Sequence, residues 1–203
     1  MEKNISTEER IKNAAKKIFI NKGLAGARMQ EIADEANINK AMLHYYYRSK
    51  DLLFQRIFDE VIGEFAPKIV SILGGESPLE TKIKDFVHHY LEMLSRNPFM
   101  PLFLISELRN QPEHVIEKVG IVRSGALSRL GEQLEMETKA GTIRPITPAH
   151  FMANLISLSI FPFLGQPMLQ SMFGMSDSDF ALFIEERKKL IPEFVMSSLK
   201  PLS

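Results

Sequence analysis

Apolar positions recur along almost the whole chain with the 3.6-residue period of a helix, and the period-two alternation of a strand is nowhere sustained. In the first segment Ile11, Ala14, Ala15, Ile18 and Phe19 share one face, while Lys12, Lys16 and Lys17 fall away from it. Ser6 precedes Glu9 by three, the spacing of a capping box, whose side chains satisfy the free backbone donors of a helix start. Gly23 ends this helix. Met29, Ile32, Ala33 and Ala36 mark a short second helix, and Asn37-Ile38-Asn39 a turn. A third short helix spans about residues 40–46, with Leu43 and Tyr46 expected to face inward. Ser49 can cap a fourth helix whose stripe is Leu53, Ile57, Val61 and Phe65, with Phe54, Phe58 and Ile62 beside it. Gly63 and Pro67 are expected to bend that helix, and Gly74-Gly75 to end it.

Longer helices follow, separated by Pro and Gly: about residues 78–96, 101–110, 112–139, 148–161 and 177–199, the last capped by Asp177 or Ser178. Thr147-Pro148 opens one of them, because Pro is tolerated in the first turn. The pattern predicts an all-α protein. An N-terminal three-helix unit, residues 1–50, is joined by a long helix to a helical second domain, residues 51–203. The two helices at about 148–161 and 177–199 are apolar on more than one side, and such a helix needs two partners. Its own domain is one. The same helices of a second copy are the other, with Phe151, Leu155, Leu158, Phe183, Leu190 and Phe194 as interface candidates; deep burial in a monomer is the alternative.

Composition refines this. Of 203 residues 45% are hydrophobic, enough for a sizeable core, and the formal net charge is zero. That average conceals an asymmetry: residues 1–56 hold eleven Lys/Arg against seven Asp/Glu, and the remainder is correspondingly acidic. A basic segment on an acidic body points to a polyanionic partner for the first part, or to a solvated charged surface. Cysteine is absent, which excludes disulfides, thiolate metal sites and cysteine nucleophiles. The charged N-terminus lacks the apolar core of a signal peptide. The longest apolar stretch, residues 152–169, is interrupted by polar residues and prolines, so no membrane span and a cytoplasmic location are expected.

Two short helices joined by a tight turn and buttressed by a third make a helix-turn-helix, whose second helix can enter the major groove of double-stranded DNA. With Leu43 and Tyr46 turned inward, Asn39, Lys40, His44 and Tyr45 would face out, with Ala41 beside them. Asn can pair with adenine, Lys with guanine or phosphate, and Tyr or His with phosphate or a thymine methyl. Arg28, ahead of the second helix, and Lys50, at the start of the fourth, are placed for phosphates. The same spacing occurs in helical bundles that touch no DNA, which leaves a ligand-binding or interaction protein open as the alternative.

The residues Gly23, Ile32-Ala33, Ala36, the run 38–47 (Ile-Asn-Lys-Ala-Met-Leu-His-Tyr-Tyr-Tyr) and Ser49-Lys50-Asp51-Leu52-Leu53 resemble the DNA-binding domain of the TetR family of bacterial regulators. Ala15 and Phe19 also fit. Arg28 stands where that family usually has Ser or Thr, and His44-Tyr45 where it often has Tyr followed by His or Tyr. The resemblance implies a homodimeric transcriptional regulator, a repressor released from a pseudo-palindromic operator by an inducer. It also implies that the second domain binds a small molecule and pairs two subunits. For an unknown apolar or amphipathic ligand the candidate lining is Phe86, His89, Tyr90, Met93, Phe103, Glu107, Met136 and Met152.

Catalysis is not expected. The chain has no Gly-x-Ser-x-Gly elbow, no His-Glu-x-x-His and no phosphate-cradling Gly loop. No cofactor and no metal site are expected either, since His88 and His89 are adjacent and diverge by about 100° on a helix.

Overall fold

The structure, a computed structural model, describes residues 6–98, 100–110, 112–121 and 123–201; the side chains of Ser106, Glu107, Asn110 and His114 lie outside that description. The expected ligand contact Glu107 therefore lies outside the described side chains. Eleven helices are found among the described residues. The N-terminal unit is α1 (Thr7–Gly26), α2 (Met29–Glu35) and α3 (Lys40–Tyr46). The connecting rod is α4 (Lys50–Gly74). The second domain is α5 (Leu79–Arg96), α6 (Met100–Asn110), α7 (Pro112–Val119), α8 (Ala126–Lys139), α9 (Pro148–Leu164), α10 (Gln166–Phe173) and α11 (Asp177–Leu199).

Local chemistry sets the ends of these helices. Ser6 accepts a hydrogen bond from the Glu9 N–H at the start of α1, and the helical track breaks at Gly23. Ser49 caps α4 by accepting from the Leu52 N–H, and Thr147 caps α9 ahead of Pro148. The cap of α11 is Ser176, ahead of the expected Asp177 or Ser178, in a full capping box with Asp179. The expected single helix over 112–139 is two. Gly120 and Gly125 take φ of +65° and +68°, a region that costs a residue with a Cβ, and the chain turns between α7 and α8. Helix α4, by contrast, runs on through Gly63 and Pro67.

Both ends of α4 are held. At its start an aromatic pile crosses from one domain to the other: Phe19 of α1 lies 4.7 Å from Phe54 of α4, Phe54 lies 4.0 Å from Phe103 of α6, and Phe58 lies 5.0 Å from Phe103. At its far end the last carbonyls of α4 meet cations from the second domain. The buried Lys82 Nζ donates to the Leu73 carbonyl at 3.1 Å, and Arg129 Nε donates to the Gly74 carbonyl at 2.8 Å. These donors satisfy acceptors that a helix end leaves open and oppose its negative dipole end.

Two expected interface residues are core instead. Phe151 and Leu155 are buried against their own domain, on the side of α9 that packs on α5 and α11. The outward face carries Phe161 of α9 with Leu190 and Phe194 of α11, while Leu158 and Phe183 are half-buried at its base. Arg187 sits within this face, donating to the Leu158 carbonyl at 2.6 Å with its guanidinium 5.5 Å from the Phe183 ring. Exposed Met168, Met172 and Phe173 of α10 extend the apolar surface.

Candidate nucleic-acid interface

Helices α2 and α3 meet at a turn built on Asn37, whose φ of +53° is tolerated by Asn because its short polar side chain suits that region. The Ile38 N–H donates to the Ala33 carbonyl at 3.0 Å and closes the turn. Arg10 of α1 reaches across and donates through Nη2 to the carbonyls of Ala36 (2.7 Å) and Asn37 (2.9 Å). Ile11, Ala15, Phe19, Ile32, Ala33 and Leu43 are fully buried or nearly so and make the small core on which the two helices rest.

The outer side of α3 presents Lys40, Ala41, His44 and Tyr45 to solvent, as expected, and Tyr45 is 86% exposed. Tyr46 does not face inward: it is exposed alongside Tyr45, the rings 5.7 Å apart and nearly perpendicular. The ring that fills the core is Tyr47. Tyr47 caps the C-terminal end of α3 in an extended conformation, so its side chain leaves the helical register and turns back. Its hydroxyl donates to Glu8 Oε1 at 3.1 Å, and burial, with that carboxylate, raises its pKa above the ordinary tyrosine value.

Two of the expected DNA contacts have structural work. Asn39 is the N-cap of α3, its Oδ1 accepting from the Met42 N–H at 2.7 Å. Only its amide NH2 is then left to face outward. Lys50 turns away from the surface: its Nζ donates to the carbonyls of Leu24, Ala25 and Ala27 at 2.8, 3.2 and 3.3 Å. It ties the start of α4 to the α1–α2 connection instead of standing free for a phosphate.

Charge is distributed to match. Lys12, Lys17 and Lys22 pair with Glu60, Glu35 and Glu31 at 2.6, 2.8 and 3.0 Å. The hydrogen bond from Lys22 holds the Glu31 carboxyl below its ordinary pKa. Among the described residues Arg28, Lys40 and Arg48 are exposed and make no such pair. They bracket α2 and α3, so the positive surplus of the N-terminal unit is left where those helices meet solvent. Arg48, Met42 and Tyr46 are also exposed on this surface, which the sequence analysis does not anticipate. Arg48 is the most legible of these in the sequence, as a cation directly after α3.

Residues 11–57 match the family model described as bacterial regulatory proteins, tetR family. Over those residues the chain is similar to the DNA-binding domain of that family. The match runs into α4, where Phe54 joins the aromatic pile. Over a longer span the chain is similar to the HTH-type transcriptional repressor NicS of Pseudomonas putida, 27% identical over 143 residues, which cover 70% of this chain and 62% of that protein. It is similar to the HTH-type transcriptional regulator RutR of Escherichia coli O157:H7, 22% identical, covering 94% of this chain and 89% of the other. Among solved structures the hemolysin II transcriptional regulator HlyIIR superposes with a TM-score of 0.63 at 21% identity, over 97% of this chain and 98% of that one. The fatty acid degradation regulator FadR of Bacillus halodurans gives 0.59 at 19%, over 94% and 97%. The fold of the whole chain, the TetR-type domain with its helical second domain, is thereby shared.

The expected ligand residues do not converge. Phe86, Tyr90 and Met93 are buried in the core of the second domain, where the Tyr90 ring lies 5.5 Å from both Phe65 and Phe86. Burial raises the Tyr90 pKa. Met136 is exposed on α8, and Met152 is half-buried against the core. His89 lies half-exposed on α5, its pKa lowered first by desolvation and then by the nearby Lys68. Phe103 borders a largely apolar cleft of about 520 Å³ at the domain junction, walled also by Phe19, Ile20, Leu24, Phe54 and Leu102. Among the described residues no single helix is long and apolar enough to cross a membrane.

Proposed function

We propose that the chain is a homodimeric transcriptional repressor that leaves a pseudo-palindromic operator when a small apolar or amphipathic inducer binds its second domain. The observation that carries the reading is the division of α3: Leu43 is wholly buried while Tyr45, two residues on, is almost wholly exposed, with the exposed cations Lys40 and Arg48 at the two ends of the helix. A short rod held rigidly by its own core, with polar and aromatic side chains on its free side, suits the major groove. Lys40 and the tyrosines meet base edges and phosphates there, and Arg28 and Arg48 take backbone phosphates.

The outward apolar face of α9 and α11 supports pairing. Side chains as large as Phe161, Leu190 and Phe194 are more than half exposed in the single chain. A second copy packed there about a two-fold axis would bury them in a four-helix contact. The same axis sets two recognition helices about 34–36 Å apart, one turn of DNA. Repression, in preference to another mode of regulation, is supported by the similarity to NicS, a transcriptional repressor.

The rod α4 connects the inducer to the DNA. It is gripped at its far end by Lys82 and Arg129, and its near end shares the Phe19–Phe54–Phe103 pile with α1 and α6. An inducer that favours a different position of α6 moves Phe103, and with it the side chains that seat α1 against α4. Differential affinity for the two arrangements drives the change. The test is a mobility shift with the region upstream of the chain's own gene, together with sedimentation. A complex of two protomers per operator is expected, and a monomer that binds one half-site tightly would refute the reading.

A further inference from the structure

Helix α5 carries a group that neither the DNA interface nor the dimer face uses. His88, His89 and Glu92 each bring one ligand atom to within 4.8 Å of the others. Divergence of adjacent residues argues against a chelate of the two histidines alone, but Glu92 changes the geometry. It lies four residues after His88 and three after His89, the two spacings at which side chains on a helix are neighbours. His88 Nε2 is 3.7 Å from Glu92 Oε2. The other carboxylate oxygen, Oε1, accepts a hydrogen bond from Arg96 Nη2, one turn further on. Arg96 thus fixes the carboxylate with its second oxygen turned to His88, the part an outer partner plays for a ligating carboxylate. The histidine rings stand at 80° to each other with centroids 5.3 Å apart.

We propose that His88, His89 and Glu92 form a site for one divalent transition-metal ion of the zinc type per protomer. Two imidazole nitrogens and one carboxylate oxygen are the donor set of a borderline ion, whereas calcium and magnesium take all-oxygen sets. Tetrahedral bonds of about 2.0–2.1 Å place donor atoms roughly 3.4 Å apart. The His88–Glu92 pair is already close to that separation. No separation in the group has to close by more than roughly 1.4 Å, and side-chain torsions supply this because His88 is exposed and the other two are half-exposed. Zinc has no geometric preference from its d electrons and tolerates the irregular fit. Three protein donors leave a coordination position open, and His88 borders a cleft of about 440 Å³ between α5 and α11 from which an outside ligand could fill it. Lys68 and Arg96 oppose a cation here, so the site is weaker than a closed structural zinc centre.

The inference stands apart from the regulatory reading, and its test involves no DNA. Full-length chain without a histidine tag is titrated calorimetrically with zinc chloride, and separately with cobalt(II) followed by its visible absorption. One ion per protomer is expected. His88→Gln and Glu92→Gln should each weaken binding about tenfold or more and abolish the cobalt bands, with circular dichroism unchanged. No uptake by the unmodified chain would overturn the site. So would uptake that survives in both variants, which places the ion elsewhere, or a loss confined to one of them.

Discussion

Arg10 is placed on α1, yet its guanidinium holds the turn that aims α3. It donates to the carbonyls of Ala36, the C-cap of α2, and Asn37, the turn residue with φ of +53°. Removing it in Arg10→Ala leaves two carbonyls without their donor and a left-handed residue without its clamp. Hydrogen bonds from a charged group contribute about 1.5–3 kcal/mol each when sheltered. Water can replace Arg10 in part, because one of its two bonds is exposed, so a total of about 2 kcal/mol is expected. For a chain of this length that lowers the melting temperature by about 4–8 °C. Operator affinity should fall because the recognition helix loses its fixed angle. The slope of log affinity against log salt should not change, since no phosphate contact is lost. Calorimetric melts and fluorescence anisotropy at several salt concentrations read both. An unchanged melting temperature with a slope reduced by about one unit would refute the reasoning and make Arg10 a phosphate contact.

Lys50→Met removes the donor to three carbonyls between α1 and α2. It should cost about 1–3 kcal/mol in denaturant unfolding and leave the salt slope as it was. Replacing Leu190 and Phe194 together by Asp puts charge on an exposed part of the α9–α11 face; sedimentation should then give the mass of one chain, with native helical content. The buried hydroxyl of Tyr90 has a folded pKa raised above its unfolded value of about 10. Its contribution is fully present below that unfolded value and is lost as pH climbs towards the folded one. Tyr90→Phe should therefore flatten the alkaline loss of stability in unfolding curves, the remaining loss including that of Tyr47.

What could be read from the chain alone was the local part of the architecture. Caps such as Ser6, Ser49 and Thr147 are written in neighbouring residues, and so are the stripes they introduce. Structure departs from the sequence pattern where a helix ends or where a partner decides. Tyr46 and Tyr47 lie three and four residues after Leu43, and either spacing can share its face; Tyr47, at the C-cap, takes the inward place. Asn39 and Lys50 have the chemistry of DNA contacts, but backbone groups near helix ends compete for the same side chains. The break at Gly120–Gly125 was hidden because the residues on either side keep helical spacing. An apolar stripe also does not say what will cover it: Phe151 and Leu155 meet their own domain, while Leu190 and Phe194 stay open. The ligand lining was the least legible, because Phe86, Tyr90 and Met93 fit a closed core as well as a cavity.

The account turns on whether the free side of α3 contacts a duplex. Tyr45→Ala removes the most exposed aromatic of that helix and touches neither its core nor the α9–α11 face. Anisotropy with an operator fragment should show at least a tenfold loss of affinity, about 1.4 kcal/mol, while sedimentation still gives a dimer with unchanged melting. Affinity equal to that of the unmodified chain, with the dimer intact, would contradict the claim that this face reads DNA.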